Sequence, residues 1–167
     1  NGDFRSGYYR DQTFMMAIDE LTVKQFFAGL YAHTDIEKEP NSAGRQMGGH
    51  FSTKTIDKDG NWLNLSNKKN SSSDISCTAS QMPRLVGLGL ASKIYRNNKD
   101  LKNFEKFSNN GNEVAFGTIG DASTSEGVFW ESINAAAVLE VPVVMSVWDD
   151  GYGISVPKKY QTTKESI

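Results

Sequence analysis

Cysteine is nearly missing from this chain. Its 167 residues contain only Cys77, so no internal disulfide can form, and the composition suits a reducing compartment. An excess of one charge is missing too. A formal net charge of −2 provides no general attraction to nucleic acid or to acidic lipid. No apolar run approaches the roughly 18 residues needed to cross a bilayer, which argues against a membrane-spanning role. The chain opens with Asn1-Gly2-Asp3 rather than a basic, then greasy, leader, and the reading is cytoplasmic. Asn64-Leu65-Ser66 and Asn70-Ser71-Ser72 match glycosylation sequons, but without a secretory signal they read as loop chemistry. Internal repeats and low-complexity tracts are also lacking. At the other end, Thr163-Lys164-Glu165-Ser166-Ile167 carries no helix stop, so the chain reads as cut at both ends.

What is present is ordinary for a globular domain: 38% hydrophobic and 23% charged residues, in a chain of about the length of one domain with enough residues for a real core. From Arg10 to Thr34, Phe14, Met15 and Ile18, then Phe26, Phe27, Leu30 and Tyr31, recur at helical spacing. This predicts two short helices, the second started by a capping box of Thr22 with Gln25. Asp35 to Asp74 is rich in Asn, Ser, Lys, Asp and Gly without a sustained period, and a loop that long is usually functional or disordered. Its lysines, from Lys54 to Lys69, alternate with Asp and Asn and read as a solvated loop. Ala79 to Arg96 is helical again, with Met82, Val86, Leu90 and Ile94 at four-residue spacing and Pro83 near the first turn. Gly87 and Gly89 lower its intrinsic helicity and suggest close packing.

The end of the chain carries the clearest architecture. Val114–Ile119 is a short apolar run, then a turn with a capping box of Ser123 and Glu126 leads into a helix bearing Phe129, Ile133, Ala136 and Ala137 on one face. Val141–Val147 is a second buried strand that runs into Trp148-Asp149-Asp150-Gly151-Tyr152. Such strand–helix–strand units are parallel, so Ile119 and Val147 should end at one edge of one sheet. Ligands of open α/β sheets bind beyond that edge, and Asp121 and Asp150 would both stand there. Carboxylates about 5 Å apart repel by about 3 kcal/mol at an effective dielectric near 20. A divalent cation shared with a ligand's phosphates offsets this, as Mg²⁺ commonly does, and the turn at Ser123 offers backbone N–H groups to an anion. Asp149 and Asp150 would point to opposite faces of a strand-like stretch, so at most one of them would reach the metal; on pattern alone, Asp121 as a turn residue and Asp149-Asp150-Gly151 as a solvated loop is an equal alternative.

This pattern resembles the thiamine-diphosphate-dependent decarboxylating component of 2-oxo acid dehydrogenases, in its alpha-subunit-type region. That family carries Gly-Asp-Gly, a helix and strand, then Asn-Asn-x-Tyr. Here the two stretches read Gly120-Asp121-Ala122-Ser123-Thr124-Ser125-Glu126-Gly127 and Asp149-Asp150-Gly151-Tyr152-Gly153-Ile154-Ser155. Three other segments match in order: Tyr9-Arg10, Gly44-Arg45-Gln46-Met47-Gly48-Gly49-His50-Phe51, and Ser76-Cys77-Thr78-Ala79-Ser80-Gln81-Met82-Pro83. The resemblance covers nearly the whole chain and in detail is closest to bacterial forms in which alpha-type and beta-type halves are fused. It implies an α/β thiamine-diphosphate-binding fold, a parallel sheet with helices on both faces, of which residues 1–167 are a partial alpha-type domain.

The resemblance also implies site roles. Asp121, Asp150 and the main-chain carbonyl of Tyr152 would hold Mg²⁺. Tyr9, Arg10, Gly120, Ala122 and Ser123 would lie at the diphosphate, Ser76 and Thr78 at the aminopyrimidine, and Ile154 against the cofactor. His50 would be the catalytic proton-handling group. In some members the Ser80-Gln81 segment builds a monovalent-cation site, for K⁺. Two departures stand out: Ala122 replaces a glycine, and Asp149-Asp150 replaces paired Asn, adding a negative charge for which Arg10 is the counterweight. The implied activity is oxidative decarboxylation of a 2-oxo acid, pyruvate or a branched-chain type, with acyl transfer to a lipoyl group on an acyltransferase. A beta-type half is the implied partner in an oligomer, and this fragment alone should be inactive. Two other readings share part of the pattern: a transketolase-like thiamine enzyme, and a non-catalytic fragment that keeps the fold. On residue type alone, His33 reads as a helix-end residue, Cys77 as a small buried one, and Trp148 as core or cofactor flank.

Overall fold

Small and apolar residues along 115–120 allow one strand to be covered on both faces, and the fold is built around it. The computed structural model describes residues 1–163 apart from Met47 and Lys102, so the chain's last four residues and Met47 of the 44–51 loop lie outside the described residues. Strand β3 (Ala115–Gly120) pairs in parallel with β4 (Val143–Trp148), in a register that runs from Ala115 opposite Val143 to Gly120 opposite Trp148. Ile119 therefore lies opposite Val147, and both strands end at one edge, as the strand–helix–strand reading requires. On the other side of β3 lies β1 (Phe4–Ser6), and beyond it β2 (Asn70–Ser71), giving the parallel order β2-β1-β3-β4. Neither β1 nor β2 is visible in the hydrophobic pattern. A small antiparallel hairpin, β5 (Tyr152–Gly153) with β6 (Val156–Pro157), follows the sheet.

Among the described residues four α-helices accompany these strands: α1 (Gln12–Ala17), α2 (Val23–Leu30), α3 (Gln81–Asn97) and α4 (Gly127–Leu139). Ala115 and Ile119 share a buried core with Met82 and Leu85 of α3 and Phe129 of α4, and Val143, Met145 and Val147 pack against it. Each large side chain buried there stabilises the fold by about 1.5–3 kcal/mol. On the opposite face of β3, Phe116 stacks on Phe14 of α1 with ring centroids 5.3 Å apart, and the Thr118 hydroxyl donates to Asp11. Helices thus cover both faces, and the fold is the expected α/β class. Among the described residues no helix is long and apolar enough to cross a membrane.

Local readings hold in part. The capping box is present: Gln25 N donates to Thr22 Oγ1 at 3.2 Å, and Thr22 N donates to Gln25 Oε1 at 2.9 Å. The Ser123–Glu126 box is not. Thr124 N and Oγ1 both donate to the Asp121 carbonyl, at 3.1 and 2.6 Å. That tightens Ala122–Ser125 into a 3-10 turn and defers the helix to Gly127, with Glu126 at the N-cap making no side-chain capping bond. Helix α3 begins at Gln81 because Ala79 has φ +63°. Its buried residues are Gln81, Met82, Leu85, Val86, Gly89 and Ser92, while Ile94 is exposed. A strict four-residue row advances by about 40° per step around a 3.6-residue helix and so leaves the core face.

Gly87 and Gly89 behave differently. A Cβ at Gly89 would stand 2.6 Å from Val143 Cγ1, whereas one at Gly87 would meet nothing within 4 Å. Close packing is therefore Gly89's role alone. In urea unfolding of the complete parent chain, Gly89→Leu is expected to destabilise by about 1–3 kcal/mol through overpacking. Gly87→Ala is expected to stabilise by about 0.5–1 kcal/mol.

Candidate functional site

Asp121 directly follows β3 and is 1% exposed, and neither of its carboxylate oxygens has a hydrogen-bond partner. A buried carboxylate left so costs several kcal/mol unless a cation or a donor reaches it. Beyond β4 the two further acids diverge, as strand alternation requires. Asp150 accepts from Tyr152 N at 3.1 Å and pairs with Arg10 at 3.2 Å. Asp149 accepts from Gly151 N at 2.9 Å and pairs with Lys158. The Lys158 ammonium and the Gly151 N–H hold Asp149 below the usual carboxylate range, and because Gly120 lies opposite Trp148, Asp121 and Asp149 follow paired residues. The candidate metal ligands Asp121, Asp150 and Tyr152 thus stand at one sheet edge, with Asp150 turned to Arg10. Among the described residues no group of three or more His, Cys, Asp or Glu forms a preformed metal cage. The donor set matches Mg²⁺ completed by a ligand's phosphate oxygens.

Arg10 lies 5.6 Å from the Tyr8 ring centroid and 5.8 Å from that of Tyr9, and its Nη1 donates to the Trp148 carbonyl at 3.2 Å. Trp148 meets Tyr8 edge-on at 6.4 Å. Burial pushes the Tyr8 phenol up to about 12. Alongside is a cleft of about 390 Å³ whose lining includes Tyr9, His50, Ser76, Thr78 and Ser123, which the chain supplies from four separate stretches. His50 Nε2 and Ser76 Oγ are 2.9 Å apart. Cys77 also lines the cleft and is exposed rather than buried, because it sits in the bend ahead of α3.

Gln81 also lines this cleft, whereas Gly120, Gly153, Ile154 and His33 fall outside its lining. A Cβ added at Gly120 would stand 3.5 Å from the Tyr8 hydroxyl, and one at Gly153 would stand 2.7 Å from Ala122 Cβ. Ile154 is fully exposed at the hairpin tip with φ +57°. Gln81 is buried, and its Nε2 donates to the Thr118 carbonyl at 3.0 Å. His33 lies past the end of α2, and its Nδ1 accepts from Asp35 N at 3.1 Å. A second cleft of about 410 Å³, around Phe4, Phe14 and Phe116, includes none of the sequence-named site residues.

The sequence model of the family described as "Dehydrogenase E1 component" matches residues 1–167. The chain belongs to the dehydrogenase E1 component family. It is 32% identical over 165 residues to the "2-oxoisovalerate dehydrogenase subunit alpha" of Bacillus subtilis, a match that covers 99% of this chain and 41% of that protein. Over 88 residues it is 33% identical to a "Pyruvate dehydrogenase E1 component subunit alpha" of Acholeplasma laidlawii, covering 53% and 21%. Over 56 residues it is 38% identical to the protein of the same description in Staphylococcus aureus strain N315, covering 34% and 15%. The chain thus spans well under half the length of these relatives.

Within this E1-family chain, the sequence reading missed the residues that hold the site together. Arg5 on β1 is 2% exposed. It donates to Asp11 Oδ2 at 2.6 Å, to Ser71 Oγ at 2.6 Å and to the Tyr8 carbonyl at 3.1 Å, and it pairs with Asp74 at 2.9 Å. Asp74 in turn accepts from Phe51 N at 3.0 Å, next to His50. Burial raises Asp74 above the ordinary carboxylate range, against the pull of Arg5. A Cβ on Gly7 would stand 2.0 Å from Asp11 Oδ2, so this network requires a glycine there. Glu39, 2% exposed, organises the loop leading to His50 by accepting from Asn41 N, Ser42 N and Gly44 N, each at 2.9 Å. Burial pushes Glu39 up, but these bonds outweigh it and hold it below the usual range. Arg5 carries no distinguishing sequence signal, being a lone basic residue in a three-residue strand that the hydrophobic pattern does not reveal.

Arg5→Met leaves two buried carboxylates without their cation. The expected loss is about 3–5 kcal/mol of stability in urea unfolding of the complete parent chain. For Tyr8 the folded pKa is raised from 10.0 to about 12. The folded state keeps the proton that the unfolded state loses, so Tyr8's contribution is fully present below pH 10 and is lost as pH rises towards 12. Chemical denaturation at a series of alkaline pH values should show a steeper decline for the unsubstituted protein than for Tyr8→Phe across that window. Equal slopes would contradict the assignment.

Proposed function

We propose that this chain supplies the metal-and-diphosphate half of a thiamine-diphosphate-dependent 2-oxo acid dehydrogenase active site. The observation that carries this is Asp121: a buried carboxylate with both oxygens unpartnered, at the sheet edge where a divalent cation would be shared with a phosphate group. In this reading Asp121, Asp150 and the Tyr152 carbonyl hold Mg²⁺. Tyr9, Arg10, Gly120, Ala122 and Ser123 attend the diphosphate, where an arginine can grip phosphate oxygens bidentately. Ser76 and Thr78 meet the aminopyrimidine from the cleft wall, and Ile154 borders the cofactor from the hairpin. The monovalent-cation site, for K⁺, falls to Ser80 and Gln81.

The cofactor, when bound, supplies the nucleophilic carbon and the electron sink that decarboxylation needs. The chain's own residues bind, orient and move protons. Arg10 is prepositioned by two aromatic rings and the Trp148 carbonyl, so little side-chain freedom is lost on gripping an anion. His50 presents Nε2 at the cleft, with the Ser76 hydroxyl 2.9 Å away, and it is the residue assigned to take or give a proton there. The substrate is a 2-oxo acid of pyruvate or branched-chain type. The acyl group passes to the lipoyl arm of an acyltransferase in a cytoplasmic multienzyme complex. The beta-type half completes the site in an oligomer, so residues 1–167 alone are a partial domain without turnover.

Calorimetric titration of the complete parent protein with thiamine diphosphate should show binding that requires Mg²⁺. Asp121→Ala and Asp150→Ala should each weaken it by at least about tenfold, in line with the loss of a charge-assisted contact. Binding indifferent to Mg²⁺, or to the loss of Asp121, would remove the cofactor reading.

A further inference from the structure

Asp149 is the acid that the proposed metal set does not use, and it follows Trp148, which lies opposite Gly120, the residue before Asp121. Three carboxylates, Asp121, Asp149 and Asp150, therefore follow the ends of two paired strands. Two cations answer them, Arg10 on Asp150 and Lys158 on Asp149. Asp121 alone is left buried with unpartnered oxygens. Lys158 is held at its backbone as well as its side chain. It follows Pro157, which pairs with Tyr152 across the hairpin, and its own N–H donates to the Gly151 carbonyl at 2.8 Å. Its side chain is 22% exposed and that of Asp149 is 42% exposed. The next residue, Lys159, turns elsewhere, its ammonium 5.0 Å from the Tyr160 ring centroid.

We propose that Lys158 is a positioning residue that neutralises Asp149, leaving Asp121 as the one uncompensated carboxylate offered to the cation and sparing an incoming diphosphate from an extra negative charge. This rests on the cofactor reading above. Without Lys158, Asp149 would stand beside Asp121 as a second free carboxylate. A divalent cation would then be held more tightly and an anionic diphosphate less well, because both respond to the same charge with opposite sign.

The experiment uses the complete parent protein and two calorimetric titrations: Mg²⁺ alone, and thiamine diphosphate at saturating Mg²⁺. For Lys158→Met the expected result is tighter Mg²⁺ and weaker thiamine diphosphate, each by about three- to tenfold, as for the loss of one charge near a site. Lys158→Arg should keep both constants near their original values, Lys159→Met should change neither, and Lys158→Met with Asp149→Asn should restore both. A merely structural lysine would weaken both ligands together and would not be rescued by Asp149→Asn. That pattern, or no change in Lys158→Met, overturns the role. If the unsubstituted protein shows no Mg²⁺-dependent cofactor binding, the cofactor reading fails and takes this inference with it. Normal binding with a silent Lys158→Met removes only the inference.

Discussion

Arg5 is a cation enclosed by protein, and it holds together three stretches of chain that are distant in sequence. Through Asp11 it fixes the entry to α1 and, by way of the Thr118 hydroxyl, the centre of β3. Through Ser71 it holds β2, and through Asp74 it holds the backbone at Phe51. The Tyr8-Tyr9-Arg10 arm and the His50 loop, the two sides of the cleft, thus take their positions from one guanidinium. Burying a charge is unfavourable unless it is paired and hydrogen-bonded throughout. The planar five-donor fork of arginine satisfies that condition in a way lysine could not.

The sheet edge presents the complementary problem. Parallel pairing brings the acids after β3 and β4 to one place, and sheet geometry gives them no means of separating. The structure resolves the repulsion unequally. Arg10 and Lys158 each take one acid, while Asp121 is buried without a cation beside it. That inequality makes the edge a candidate site rather than a solvated loop, because a buried carboxylate without a partner is costly until a cation, a donor or a proton reaches it. It also ties the β5–β6 hairpin to the chemistry, since the hairpin's exit carries Lys158.

Local sequence was legible where one element's own residues decide its structure. The Thr22–Gln25 cap, α3, β3, α4 and β4 follow from periodicity and capping chemistry within a few residues. The relation of Ile119 to Val147 follows from the general behaviour of parallel units. Strands β1 and β2 were not legible. They are three and two residues long, and a buried Arg occupies the middle of β1, so neither carries a hydrophobic signal. The Ser123–Glu126 cap failed for a related reason: Glu126 N donates to the Ser123 carbonyl at 3.2 Å rather than to its side chain, a competition that spacing cannot reveal.

By itself, then, the sequence determined the α/β class, the parallel strand–helix–strand unit, the acids at its edge and the family, because these rest on local pattern and motif order. The tertiary structure alone decided which acid meets which cation. It turned Asp150 to Arg10 and Asp149 to Lys158, left Asp121 unpartnered, and made Arg5 the hub. The physical reason is range: periodicity and capping act over a few residues, whereas a charge pairs with whatever the fold brings within a few ångströms, and Arg5 finds Asp74 from the far side of a long irregular loop.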